Sequence, residues 1–150
     1  MERLEQQRSM ACFVVVTLAD EDKEEALPLI RRFYRMGFNI EATIGTAQFL
    51  KKNGIRTRLL HKLSEGSQEI LDSIRAGYVS YVINTRAILS GIHYGDGIAI
   101  RRAACQNNVT MFTSLDTVRV LLDVLEEVTI GVSALDTFQT NTALSERFMA

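Results

Sequence analysis

Five short runs rich in β-branched residues alternate with stretches of helical apolar spacing, and nothing else in the chain constrains its fold so tightly. Phe13 to Leu18 suits a strand buried on both faces. Asp22 to Met36 places Ala26, Leu29, Ile30 and Phe33 on one helical face and closes on Gly37. Pro28 marks either a late start of that helix or a kink in its first turns. Phe38 to Thr43 reads as a second strand, Thr46 to Asn53 as a helix closed by Gly54, and Thr57 to Lys62 as a more polar strand near a sheet edge. Gln68 to Ala76 is helical and ends at Gly77; Tyr78 to Asn84 is the fourth strand. Arg86 to Gly97 is loop-like, Ile98 to Gln106 helical, and Val109 to Phe112 a fifth strand. Ser114 or Asp116 caps a last helix whose apolar face is Val118, Leu121, Leu122 and Leu125. The alternation predicts a three-layer α/β/α domain around a five-stranded parallel sheet.

Composition narrows the function. The 150 residues suit one domain, expected over 11–128, with 1–10 a linker or the end of a preceding domain and 129–150 a loosely held polar tail. Hydrophobic residues at 47% and charged residues at 23% suit a globular core. A net charge of −1 gives no general pull toward nucleic acid or an anionic membrane, so neither is expected as a partner and any anion site must be local. The longest apolar run, Ala11 to Val16, falls far short of the roughly 20 residues a membrane span needs. The charged start, Met1 to Arg8, lacks the apolar stretch of a signal peptide. Cys12 and Cys105 read as two buried thiols of a cytoplasmic protein, and no metal-ligand spacing links them to His61 or His93.

In open parallel sheets, ligands gather outside the carboxyl ends of the strands. The first strand runs out at Thr17, with Lys23 on the next turn; the second ends in Thr43, Ile44, Gly45, Thr46. The third ends at Lys62, the fourth at Asn84, Thr85 and Arg86, and the fifth at Thr113 and Ser114. Each end carries a hydroxyl, an amide or a cation. Gly45 is expected to turn the backbone tightly, and Thr46 to cap a helix whose first-turn N–H groups and dipole favour an anion. Lys23 and Lys62 would add charge. Taken singly, each feature has a plainer reading: the Thr-x-Gly-Thr turn as a helix cap, Lys23 as a solvated residue among acids, Asn84 and Thr85 as turn chemistry. Their joint placement at one sheet edge favours a phosphorylated or otherwise anionic ligand.

These residues bring a family into view. Thr17-x5-Lys23, "MGFNIEATIGTAQFLKKNGI" (Met36 to Ile55), Lys62, "YVINT" (Tyr81 to Thr85), "IRRAA" (Ile100 to Ala104) and "FTSLDT" (Phe112 to Thr117) resemble the methylglyoxal-synthase-like domain. The resemblance runs from about Cys12 to Glu127 and is nearest the C-terminal allosteric domain of the carbamoyl-phosphate synthase large subunit. It implies a Rossmann-like sheet and a phosphate pocket formed by Thr17, Lys23, Thr43, Gly45, Thr46, Lys62, Asn84 and Thr85. It also implies an effector such as UMP, IMP or phosphoribosyl pyrophosphate. Thr113 matches a position tied to ornithine sensing. Arg86 departs from the family pattern, as an extra phosphate ligand or a solvated residue, and the loop from Ile88 to Gly97 is individual.

The resemblance implies partners as well: the rest of the synthase large subunit, its glutaminase small subunit and, optionally, further copies of the chain. It implies no cofactor in this domain, whereas an ATP-dependent ligase parent would use ATP with Mg or Mn. The alternative is a stand-alone methylglyoxal synthase acting on dihydroxyacetone phosphate. His93 and Asp96 fall where that enzyme places a histidine and an aspartate. Its catalytic aspartate, however, aligns with Ser67 of Glu65-Gly66-Ser67, and a hydroxyl cannot abstract a carbon-bound proton near neutral pH. A relative of IMP cyclohydrolase ranks last, because its characteristic segments after the third strand are not visible.

Overall fold

The computed structural model describes residues 12–61, 67–85 and 94–128. Lys62, Glu65, Gly66, Arg86, His93 and the segments 1–11 and 129–150 lie outside them, as does the side chain of Asp96. In chain order the elements are β1 (Phe13–Thr17), a 3-10 turn (Asp20–Asp22), α1 (Lys23–Arg35), β2 (Asn39–Thr43), α2 (Ile44–Lys52) and β3 (Thr57–Leu60). They continue with α3 (Glu69–Arg75), β4 (Val79–Asn84), α4 (Tyr94–Gln106) and β5 (Thr110–Phe112). A helix over 115–128 follows, here α5. The sheet order is β3-β2-β1-β4-β5 and every pairing is parallel. The polar third strand is an edge, as its composition suggests. Two compact units divide between Val118 and Arg119, and the first holds the whole sheet.

Side-chain alternation assigns the layers. Val15, Val82 and Leu60 face one side and join Ile70, Leu71 and Ile74 of α3 and Ile100, Ala103 and Ala104 of α4 in one buried cluster. Val14, Val16, Ile40 and Ala42 alternate to the other side, where Ala26, Leu29, Ile30 and Phe33 of α1 and Ala47 and Leu50 of α2 are buried. An aromatic chain runs across that face from Phe33 to Tyr81 and on to Phe112. Each fully buried Leu, Ile, Val or Phe contributes about 1.5–3 kcal/mol. With both faces covered, the central strands have no solvated side, which explains their unbroken β-branched runs.

Several local expectations change. α1 begins at Lys23 behind the 3-10 turn and carries Pro28 in its interior, so the proline does not delay the helix. α4 begins at Tyr94, a turn before the glycine-rich sequence suggested. Its apolar residues Ile100, Ala103 and Ala104 pack on the sheet, and that packing carries the helix through Gly97. Both cysteines are exposed, not buried. Cys12 precedes the first strand residue, and Cys105 follows two buried alanines around α4 and turns away from the sheet. Gly37 ends α1 at φ +95°, a conformation glycine adopts without strain, and Asn108 takes the same role after α4 at φ +56°. No helix among the described residues is long and apolar enough to cross a membrane.

Candidate functional site

β1, β2 and β4 end side by side. Thr17 pairs in register with Asn84, and the final residues of β2 lie one strand away. Thr17, Thr43, Thr46, Asn84 and Thr85 are all buried, between 2% and 8% exposed. Asn84 and Thr85 are therefore not solvated turn residues. The Asn84 Oδ1 has no hydrogen-bond partner, which is costly for a buried amide.

β2 passes into α2 without an intervening turn. Thr43, not Thr46, occupies the N-cap, with extended φ −68° and ψ 159°. Gly45 is helical and needs no positive φ, so its lack of a side chain matters for approach, not for turning. A Cβ built there would stand 3.6 Å from the Lys23 ammonium. The Thr43 side chain makes no capping bond. The first-turn N–H groups of α2 thus open, without a side-chain cap, beside a cation. Lys23 itself is only 17% exposed and pairs with the Asp20 carboxylate at 2.6 Å. The acids around it in sequence do not leave it solvated; one of them holds it. Asp20 is the residue that the strand-end reading missed, although its i, i+3 spacing to Lys23 was available as a signal.

The two remaining threonines fasten the loop after β1. Leu18 N donates to Thr46 Oγ1 at 3.2 Å, and Ala19 N donates to Thr85 Oγ1 at 3.0 Å. Residues 28 and 66 positions away thereby fix the segment that leads to Asp20 and Lys23. Removing the Thr46 acceptor should strand a buried N–H. We expect Thr46→Val to lose about 1–3 kcal/mol in urea unfolding and to speed amide exchange at Leu18.

At the end of β3, His61 N donates to Glu69 Oε2 at 2.7 Å, and its Nδ1 lies 3.0 Å from the same oxygen. The backbone bond, with the imidazole's help, holds the Glu69 carboxyl below the ordinary carboxylate range. Ser67 Oγ accepts from Glu69 N at 3.2 Å and so serves the start of α3. Thr113 follows β5 directly. It lines a cleft of about 300 Å³ with Thr85, Ser114, Leu115 and the carboxylate residues Asp22, Glu25 and Asp116. Thr85 and Asp22, which flank the Lys23 loop, belong to this lining, so Thr113 lies beside that loop in a cleft of more acidic character. Ser114, not Asp116, begins α5: its Oγ accepts from Asp116 N at 3.3 Å.

A family model described as the MGS-like domain matches residues 25–113. A methylglyoxal synthase from Elizabethkingia anophelis NUHP1 superposes with a TM-score of 0.60 at 16% identity, covering 75% of this chain and 78% of that one. The structure of ForH superposes at 0.54 and 19% identity, covering 79% and 80%. At such identities the likeness concerns the fold, and the five-stranded parallel sheet with its helices is the fold in question. With more than half its length matched by the family model, the chain belongs to the MGS-like domain family.

Proposed function

We propose that this chain is an effector-binding regulatory domain whose ligand is a phosphorylated metabolite seated at the start of α2, and that its parent is a cytoplasmic carbamoyl-phosphate synthase large subunit. The observation that carries the reading is the Lys23 ammonium against Gly45 at the uncapped first turn of α2. A phosphate there would take N–H donors, the helix dipole and a poorly hydrated cation together. Asp20 occupies that cation meanwhile, so an incoming phosphate competes with a carboxylate of the chain itself. A nucleotide such as UMP or IMP, or phosphoribosyl pyrophosphate, carries the required group. Binding would act on carbamoyl phosphate synthesis, for pyrimidines or arginine, through its differential affinity for two states of the assembly. By the resemblance, Lys62 and Arg86 would add charge.

The methylglyoxal synthase reading shares the fold but wants a base. Ser67, at the aspartate's place in the resemblance, has its oxygen turned to the Glu69 amide. Purified protein should therefore give no methylglyoxal from dihydroxyacetone phosphate, and robust turnover would reverse the assignment. The regulatory reading is tested by thermal shift with UMP, IMP, phosphoribosyl pyrophosphate and inorganic phosphate. At a ligand concentration 100 times Kd, binding adds about 2.7 kcal/mol, or roughly 5–10 °C in Tm for a domain of this size. No shift with any of them would refute it. Releasing Lys23 with Asp20→Asn should raise phosphate affinity by about twofold to fivefold, the range for a largely exposed ion pair.

A further inference from the structure

Charge is divided between the two ends of the sheet. Between Ala26 and Leu60 the chain carries seven cations, Arg31, Arg32, Arg35, Lys51, Lys52, Arg56 and Arg58, and a single acid, Glu41, which is fully buried. Arg32 and Arg35 close α1, and Lys51 and Lys52 close α2, where cations complement the negative ends of the helix dipoles. Arg56 and Arg58 belong to no helix. Arg56 leads into β3 and Arg58 lies on it, and both are exposed.

Beside them is a cleft of about 370 Å³, lined by Phe13, Tyr34, Asn39, Ile40 and Thr57 as well as by the two arginines. Phe13, Asn39 and Thr57 are the first residues of β1, β2 and β3, so the cleft lies at the amino ends of the strands. Four rises of about 3.3 Å along β1 separate that end from Thr17, so this cleft is not an arm of the Lys23 site. Its walls differ in character: the half-buried Phe13 and a 39%-exposed Tyr34 are apolar surface, with the buried Ile40 beneath, while the arginines are cationic. Arg58 reaches Glu41 Oε1 with one Nη1 at 3.3 Å yet keeps 63% of its side chain in solvent. A guanidinium offers five donors, so this anchor orients Arg58 at the rim and leaves others for a ligand.

We propose that this cleft is a second binding site, for a small organic anion whose phosphate or carboxylate meets Arg56 and Arg58 while a flat apolar body rests on Phe13 and Tyr34. The volume suits a small molecule. Guanidinium groups match planar carboxylate and phosphate edges, and the rings of Phe13 and Tyr34 suit an aromatic body. Asn39 and Thr57 supply the polar contacts that fix orientation.

Titration of the whole chain with phenyl phosphate, benzoate and inorganic phosphate, followed by amide and aromatic chemical shifts, tests this. Phenyl phosphate and benzoate should give saturable shifts at Phe13, Tyr34, Asn39 and Arg56, and inorganic phosphate, lacking the apolar body, should bind there at least tenfold more weakly. Whichever of the two aryl anions binds more tightly identifies the preferred head group. Arg56→Ala removes an exposed side chain with no core role and should weaken aryl-anion binding at least tenfold. Lys51→Ala, an equal charge change outside the cleft, should leave it within twofold. Absence of saturable shifts at these residues, equal losses from Arg56→Ala and Lys51→Ala, or undiminished binding in Arg56→Ala would each overturn the proposal.

Discussion

Lys23→Ala should weaken binding of inorganic phosphate and of phosphorylated metabolites by about tenfold to a hundredfold, the range expected when a buried anion loses a charge-assisted partner. The loss should appear in calorimetry with little change in stability, because the Lys23 pairing to Asp20 involves a carboxylate that is 95% exposed. Lys23→Arg should recover only part of the affinity. The ammonium sits 3.6 Å from where a Cβ on Gly45 would stand, and a planar guanidinium fits that space poorly. Gly45→Ala gives an independent reading: its methyl would touch the ammonium and cover the first turn of α2, so it should cost affinity without unfolding the helix. Equal phosphate affinity in wild type and Lys23→Ala would remove the cation from the site.

The second large effect concerns stability. Glu41 lies in the middle of β2, fully buried, with Oε2 unpartnered and Oε1 on Arg58. Burial raises its carboxyl above the ordinary value of 4.5, opposed in part by the Ser73 hydroxyl and the Arg58 charge. The folded chain therefore holds this proton more tightly than the unfolded chain does. Its contribution to stability is present in full below about pH 4.5 and is lost as pH rises through the folded-state value. Glu41→Gln preserves shape and the acceptor for Arg58 while removing the ionisation. It should be more stable than wild type at pH 8 by about 1–3 kcal/mol, a gain of several degrees in Tm, and the difference should shrink toward pH 4. Melting curves across that range check it; a destabilised Glu41→Gln at pH 8 would mean that the charge is needed.

Much of the architecture was legible because it follows from periodicity. The residues read as the inner face of α1, Ala26, Leu29, Ile30 and Phe33, are the ones buried. The polar third strand is indeed an edge. Errors arose where tertiary packing outweighs local chemistry. Gly97 lies inside α4 because the residues beyond it pack on the sheet. Thr43 takes the N-cap because β2 passes straight into α2, which shifts the cap three residues from the place that Gly45 suggested. Glu41, on which the strand pattern was silent, alternates with Ile40 and Ala42, and a sheet covered on both faces leaves it no solvent.

The site divides in the same way. Thr17, Lys23, Gly45, Thr46, Asn84 and Thr85 converge as strand-end logic predicts, since parallel strands must deliver their carboxyl ends to one edge. What sequence could not supply is the role each plays: Thr46 and Thr85 accept bonds from the chain's own backbone, Lys23 pairs with Asp20, and the Asn84 Oδ1, an acceptor, is left without a partner. Thr113 lines a cleft with Asp116 because Ser114 caps α5 and holds the Asp116 amide beside it.

Amide shifts of the whole chain titrated with inorganic phosphate address the central claim most directly. The account predicts saturable changes led by Gly45, Thr46 and Ala47, with Leu18, Ala19 and Asn84 following, and their disappearance in Lys23→Ala. Saturable phosphate binding that leaves Gly45 to Ala47 unmoved would contradict it.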